Sequence, residues 1–198
     1  MKKLFAMIFF APFLLGAQDF DKNLATAKSS YSAGKLEDAR FAMEQMLRDL
    51  DIAIGKEIMK ILPTKLGALN YNAKQDNVTG GSGSGLGLYV QRYFGADPKQ
   101  GSIEIINNSP LINSIQSILT MPLIGGMMRD ENQKVMKVQG YKSLLTKIVN
   151  TENSKTDYEL QVPLNNTLVT LKIDDTSEAE MTQFANSLPL PKISQLAQ

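Results

Sequence analysis

The chain has 198 residues, 21 Lys+Arg against 20 Asp+Glu, and no histidine, cysteine or tryptophan. Without imidazole or thiol there is no zinc site of the usual kinds, no Ser-His or Cys-His nucleophile pair, and no disulfide. A net charge of +1 without basic clusters argues against electrostatic capture of nucleic acid or anionic lipid.

Residues 1–17 have the parts of a cleavable secretory signal peptide in order. Lys2 and Lys3 form the positive region. Residues 4–15 are almost wholly apolar, shorter than the roughly 20 residues a spanning helix needs. Leu15-Gly16-Ala17 then offers small residues before polar Gln18. The mature protein is expected to start near Gln18 and to be exported, to the periplasm or beyond it. Removing Lys2 and Lys3 leaves 19 basic against 20 acidic residues, a net charge of −1. A lipid anchor at the cleavage point needs a thiol, which the chain lacks, and no later segment is apolar enough for a transmembrane helix. The fold must therefore stand on its apolar core.

Residues 20–62 repeat apolar positions at helical spacing, from Phe20, Leu24, Ala27 and Tyr31 to Leu36, Met43, Leu47, Leu50, Ile54 and Ile58. Gly34 interrupts and Pro63 terminates the pattern, which predicts a helical hairpin over residues 18–63 with its turn at residues 32–35. Ala27, Tyr31, Gly34, Leu36 and Ala39 resemble the middle of a tetratricopeptide repeat, where small and aromatic residues let two helices approach. The motif occurs once, whereas stacked repeats need about three copies. A lone helix pair is expected.

Residues 64–198 read as the second domain. Residues 66–73 suggest a short strand, and the Gly-rich stretch at 76–85 a loop. Residues 86–94 alternate as a strand, with Leu88, Val90 and Phe94 on one face and Tyr89, Gln91 and Tyr93 on the other. A turn at 96–101 leads to a strand at 102–107. Ser109-Pro110 then starts a helix with Leu111, Ile112, Ile115, Ile118 and Leu119 on its apolar side. Further strands are expected at 134–139, 141–149, 158–162 and 167–173, with Asn165-Asn166 as a hairpin turn. Ser177 and Glu180 make a capping box for a helix to Ser187, and Pro189 and Pro191 are expected to close it before a polar tail.

The fold class is therefore α+β: an N-terminal helical hairpin, then an antiparallel sheet with helices packed on it. Over residues 66–188 this element order resembles small exported α+β domains of the PsbP-like kind, in an αβα layout. That resemblance implies an accessory or binding role rather than catalysis.

Candidate chemistry is sparse. No G-x-G-x-x-G or G-K-[ST] can be drawn through Gly80 to Gly87, which also precede a strand instead of opening a helix. Met43 and Met46 fall on an apolar helix face, where Met is ordinary filler, so no metal site is predicted. Carboxylate pairs such as Glu37-Asp38, Asp130-Glu131 and Asp174-Asp175 are sequence neighbours, not groups facing each other across a cleft. No catalytic residue and no cofactor is assigned. Tyr89, Arg92 and Tyr93 either line a binding face or pack under a helix. Met121, Leu123, Ile124, Met127 and Met128 surround Gly125-Gly126 in an apolar loop. Such a loop covers the core or presents a contact surface, and adaptable Met side chains suit varied apolar shapes.

The expected function is that of an exported, non-enzymatic binding or accessory protein of the cell envelope, contacting a protein partner or an apolar small ligand. One alternative is a hydrolase using carboxylates, which needs acidic residues converging in a cleft. A second is a tetratricopeptide-like scaffold subunit, whose hairpin would leave its apolar face uncovered.

Overall fold

The computed structural model describes residues 15–81, 87–121, 131–151 and 155–197. The chain divides into two compact units after Asp49.

The first unit carries helix α1 (Leu15–Ser32) and the start of α2 (Leu36–Ile61). Residues 1–14 of the expected signal peptide lie outside the described residues, and Leu15-Gly16-Ala17 fall in α1. The connection is a Schellman turn. Lys35 N–H donates to Ser30 C=O at 2.9 Å and Gly34 N–H to Tyr31 C=O at 3.1 Å. Gly34 takes φ +74, which a side chain would strain. The hairpin therefore turns where the sequence places its glycine. Among its described residues the buried ones are the alanines Ala27, Ala39 and Ala42.

The second unit contains the rest of α2 and the elements that follow. These are β1 (Lys65–Leu66), β2 (Leu69–Asn70), β3 (Asn77–Thr79), β4 (Tyr89–Ala96), β5 (Lys99–Asn107), α3 (Leu111–Thr120), β6 (Gln133–Val138), β7 (Tyr141–Asn150), β8 (Lys155–Leu164), β9 (Thr167–Ile173), α4 (Glu178–Ser187) and α5 (Leu190–Leu196). Strands β1 and β2 form a small hairpin of their own. The other seven make one antiparallel sheet in the order β3-β4-β5-β9-β8-β7-β6. Two meanders, β3 to β5 and β6 to β9, thus join at the β5–β9 seam.

Alternation along the strands sorts the faces. Leu88 just before β4, Val90 and Phe94 of β4, Ile103 and Ile105 of β5, Leu160 and Val162 of β8, and Val169, Leu171 and Ile173 of β9 enter the main core. There they meet Ile58 and Leu62 at the end of α2, Met181 and Ala185 of α4, and Leu190 and Ile193 of α5. The opposite face is covered at one end by α3, through Ile112, Ile115 and Leu119 on Leu144 and Leu168. The architecture is α+β with helices on both faces of an antiparallel sheet.

Three elements depart from the sequence reading. Asn77–Thr79, expected in a loop, pairs with β4 as a short edge strand. Residues 66–73 give the β1–β2 hairpin in place of one strand. The tail is not a polar end, since Pro191 lies in the first turn of α5, where a missing N–H costs nothing, and Leu190, Ile193 and Ala197 are buried. Pro110 is already helical, with φ −63 and ψ −19, and the Ser109 hydroxyl accepts a hydrogen bond from Leu111 N–H at 3.4 Å, as a capping serine before a proline at the first helical position does. The capping box at Ser177 and Glu180 is present in full. Hydrogen bonds from the Ser177 backbone, the Thr176 hydroxyl and the Ser177 hydroxyl hold the Glu180 carboxyl below its ordinary pKa.

Candidate functional site

Of the apolar loop singled out in the sequence, only Met121 is described. It follows α3 as its C-cap and is half exposed. Leu123, Ile124, Met127 and Met128 lie outside the described residues.

Exposed apolar residues are found on the hairpin. Leu24 and Tyr31 of α1, with Leu36, Met43 and Leu47 of α2, are 48% to 66% exposed. Their placement follows from helix geometry. At about 100° per residue, Leu24 and Tyr31 lie some 40–60° onward from the buried Ala27 in the sense of helix rotation. Leu36, Met43 and Leu47 are displaced in the same sense from the buried Ala39 and Ala42. A short αα-hairpin runs its helices antiparallel, so equal rotations bring both stripes to one face. On each helix the buried small residues and the exposed large ones thus form separate stripes. The residues read as one apolar stripe in the sequence therefore split into an alanine seam and an uncovered row. Phe41, also exposed, points to the other side of α2.

Arg92 separates from Tyr89 and Tyr93, with which the sequence grouped it. Alternation sends it to the core face of β4, where it is 6% exposed. Its Nη2 donates to Asp76 Oδ2 at 2.7 Å and its Nε to Asp76 Oδ1 at 3.2 Å, while Nη1 donates to the Leu62 carbonyl at 3.0 Å. The guanidinium also stands 4.7 Å from the centroid of the Tyr71 ring. The group ties the end of α2 and the segment before β3 to the sheet. It is an anchor, with Nε, Nη1 and Nη2 each donating to Asp76 or to the carbonyl of Leu62.

Tyr89 and Tyr93 lie on the opposite face of β4, in line with Ser102 and Glu104 of β5 and Thr170 and Lys172 of β9. A cavity of about 270 Å³ opens here, lined by Gln91, Tyr93, Gln100, Gly101, Ser102, Lys172 and Asp174. Burial, then a hydrogen bond to Glu104 and the charge of that carboxylate, push the Tyr89 phenol well above its usual value. Burial and the neighbouring Asp157 carboxylate raise the Asp174 carboxyl, against the pull of Lys172 and Lys155. Asp174 is the sole carboxylate lining this cavity, so the pair that hydrolysis by carboxylates demands is not assembled in it. A second cleft, about 820 Å³ and wide open, runs between Ala68–Lys74 and the β4–β5 turn.

Among the described residues no group of three or more His, Cys, Asp or Glu side chains is placed to hold a metal ion, and no helix is long and apolar enough to cross a membrane. No family model matches the chain, and neither a curated protein nor a solved structure does so.

Proposed function

We propose that the chain is an exported, non-enzymatic binding protein of the cell envelope, which takes up a protein partner on the apolar face of its helical hairpin. One observation carries the reading: Leu24, Tyr31, Leu36, Met43 and Leu47 of the hairpin are all exposed, and helix periodicity sets those of each helix in one stripe. Contiguous apolar surface of this kind costs solubility unless something covers it. Tyr and Met are also among the residue types enriched where proteins meet. The element order that resembles PsbP-like accessory domains is in keeping with such a role, as is the lack of imidazole and thiol. An uncovered hairpin face is also the feature expected of a tetratricopeptide-like scaffold subunit, so it favours that second reading equally, and the number of partners captured together tells the two apart.

The test is affinity isolation from the envelope fraction with the full chain and with a Leu36→Glu/Leu47→Glu variant, bound proteins and lipids both being identified. Both positions are exposed, so folding should change by less than about 0.5 kcal/mol at each. A specific protein retained by the native chain and depleted tenfold or more by the variant is the expected result. Equal retention by both proteins refutes docking at this face. Turnover of a substrate abolished by one carboxylate-to-amide change refutes the non-enzymatic reading.

A further inference from the structure

Helix geometry sorts the first half of α2 into strips. At about 100° per residue, Leu36, Met43 and Leu47 fall within an arc of about 40°, and all three are exposed. On one flank of this strip come the buried Ala39 and Ala42. On the other stand Arg40 and Glu44, whose Nε and Oε1 are 3.0 Å apart and whose side chains are 83% and 40% exposed. Charged side chains thus border the apolar strip on one side and small buried ones on the other.

The strip is complementary to itself. Position 42 lies midway between Arg40 and Glu44, and within about half a residue of the midpoint of Leu36 and Leu47. A second α2, turned end for end about that point and laid on the first, brings its Glu44 level with Arg40 and its Arg40 level with Glu44. Leu36 then meets the second copy's Leu47, and Met43 meets its counterpart, to within about 3 Å along the axis. Antiparallel pairing also sets the charged flank of one helix beside that of the other. Arg40, Glu44 and their two counterparts therefore alternate in sign around the two-fold axis. Parallel pairing would set the charged flank against the alanines, and these contacts would be lost.

We infer that the partner on this face is a second copy of the chain, the two hairpins packing as an antiparallel four-helix bundle. The inference deepens the proposed docking role of the hairpin and rests on it. Surface area agrees. A stable specific interface buries about 600–1,000 Å² on each partner. The α2 strip alone falls well short of this, but with Leu24 and Tyr31 of α1 the five side chains leave roughly 600 Å² uncovered per copy. Both helices must then take part. A lipid surface suits the face less well, since residues 18–49 carry five basic and six acidic side chains and offer no net attraction to anionic headgroups. Exposed ion pairs add little affinity singly, and here they select orientation and partner.

The experiment is sedimentation equilibrium of the full chain, purified after export, between about 1 and 300 µM. A monomer–dimer equilibrium with a dissociation constant of about 10 µM is expected, as suits an interface at the lower size limit. Arg40→Glu and Glu44→Arg should each weaken it about tenfold, because either change turns two attractions across the axis into repulsions. An equimolar mixture of these two variants should associate about as tightly as the native chain, since opposite signs face each other again. Both positions are exposed, and urea denaturation checks that the variants remain folded. A chain still monomeric at about 300 µM overturns the inference. So does a dimer that both reversals leave intact, or one that the mixture fails to restore. If a monomeric chain nevertheless captures an envelope protein that Leu36→Glu/Leu47→Glu loses, the docking face stands and the second copy is the wrong occupant. If it captures none, the docking face falls as well.

Discussion

Arg92 is the residue whose loss the fold should feel most, because its charge is almost wholly removed from water. At 6% exposure it is matched by an Asp76 carboxylate and the Leu62 carbonyl, and the ion pair is part of a network joining three segments. Replacing Arg92 with Met would leave Asp76 without its counter-charge in a setting where its side chain is only 18% exposed. Breaking one side of such a pair costs about 3–5 kcal/mol, while removing both charges together costs much less. Urea denaturation of Arg92→Met should show a loss of that order, and the Arg92→Met/Asp76→Asn double variant should recover part of it. A single-variant loss under about 1 kcal/mol would mean the pair is solvated after all. Half of this arrangement was legible in the sequence. Strand alternation carries Arg92 to the same face as Leu88, Val90 and Phe94, although the sequence reading grouped it with Tyr89 and Tyr93. Asp76 was not legible, because its stretch carries no periodicity and pairing across 16 residues leaves no local trace.

At the scale of elements, opposing propensity and packing terms meet at Gly55. It lies inside α2, where glycine is unfavourable by about 1 kcal/mol relative to alanine. An added Cβ would meet the Val78 side chain and come within 2.8 Å of Leu88 Cδ1 and 3.2 Å of Val90 Cγ2. Forcing a methyl into a packed interface costs about 1–3 kcal/mol, which exceeds the propensity gain. Gly55→Ala is therefore expected to destabilise the protein by about 1 kcal/mol in thermal or urea unfolding, and a net stabilisation would show that the sheet yields there. The same contest explains which elements could be read beforehand. The Gly34 turn, the Ser177–Glu180 capping box and β9 rest on signals a few residues long, and the structure places each where those signals lie. Strand β3 and helix α5 rest on what they touch. Asn77–Thr79 is a strand because β4 offers an edge, and α5 forms because Leu190 and Ile193 find the core. The candidate surfaces divide the same way. Helical periodicity found the apolar residues of the hairpin but not that they stay uncovered, and alternation put Tyr89, Gln91 and Tyr93 on one face but not the β5 and β9 residues that line up beside them.

For the molecule as a whole, the distribution of buried side chains implies two levels of stability along one chain. The second unit buries large residues, among them Phe94, Ile103, Ile105, Leu171, Ile173 and Met181, each no more than 1% exposed. Among the described residues the first unit buries three alanines, and Leu24, Tyr31, Leu36, Phe41, Met43 and Leu47 are exposed. Burying an alanine methyl contributes about 0.8 kcal/mol, whereas a Leu, Ile or Phe contributes about 1.5–3 kcal/mol. Helices of α1's length without tertiary support are marginal in water. Amide hydrogen exchange should therefore be fastest in α1 and residues 36–49, through local opening, and slowest in β5 and β9 at the sheet seam, where opening requires global unfolding. Equal protection of α1 and β9 in the isolated chain would contradict this. If the hairpin face is where a partner docks, the partner will supply the burial the hairpin lacks. Protection of α1 should then rise on binding while that of β9, already limited by the global transition, gains only as much as binding stabilises the whole fold.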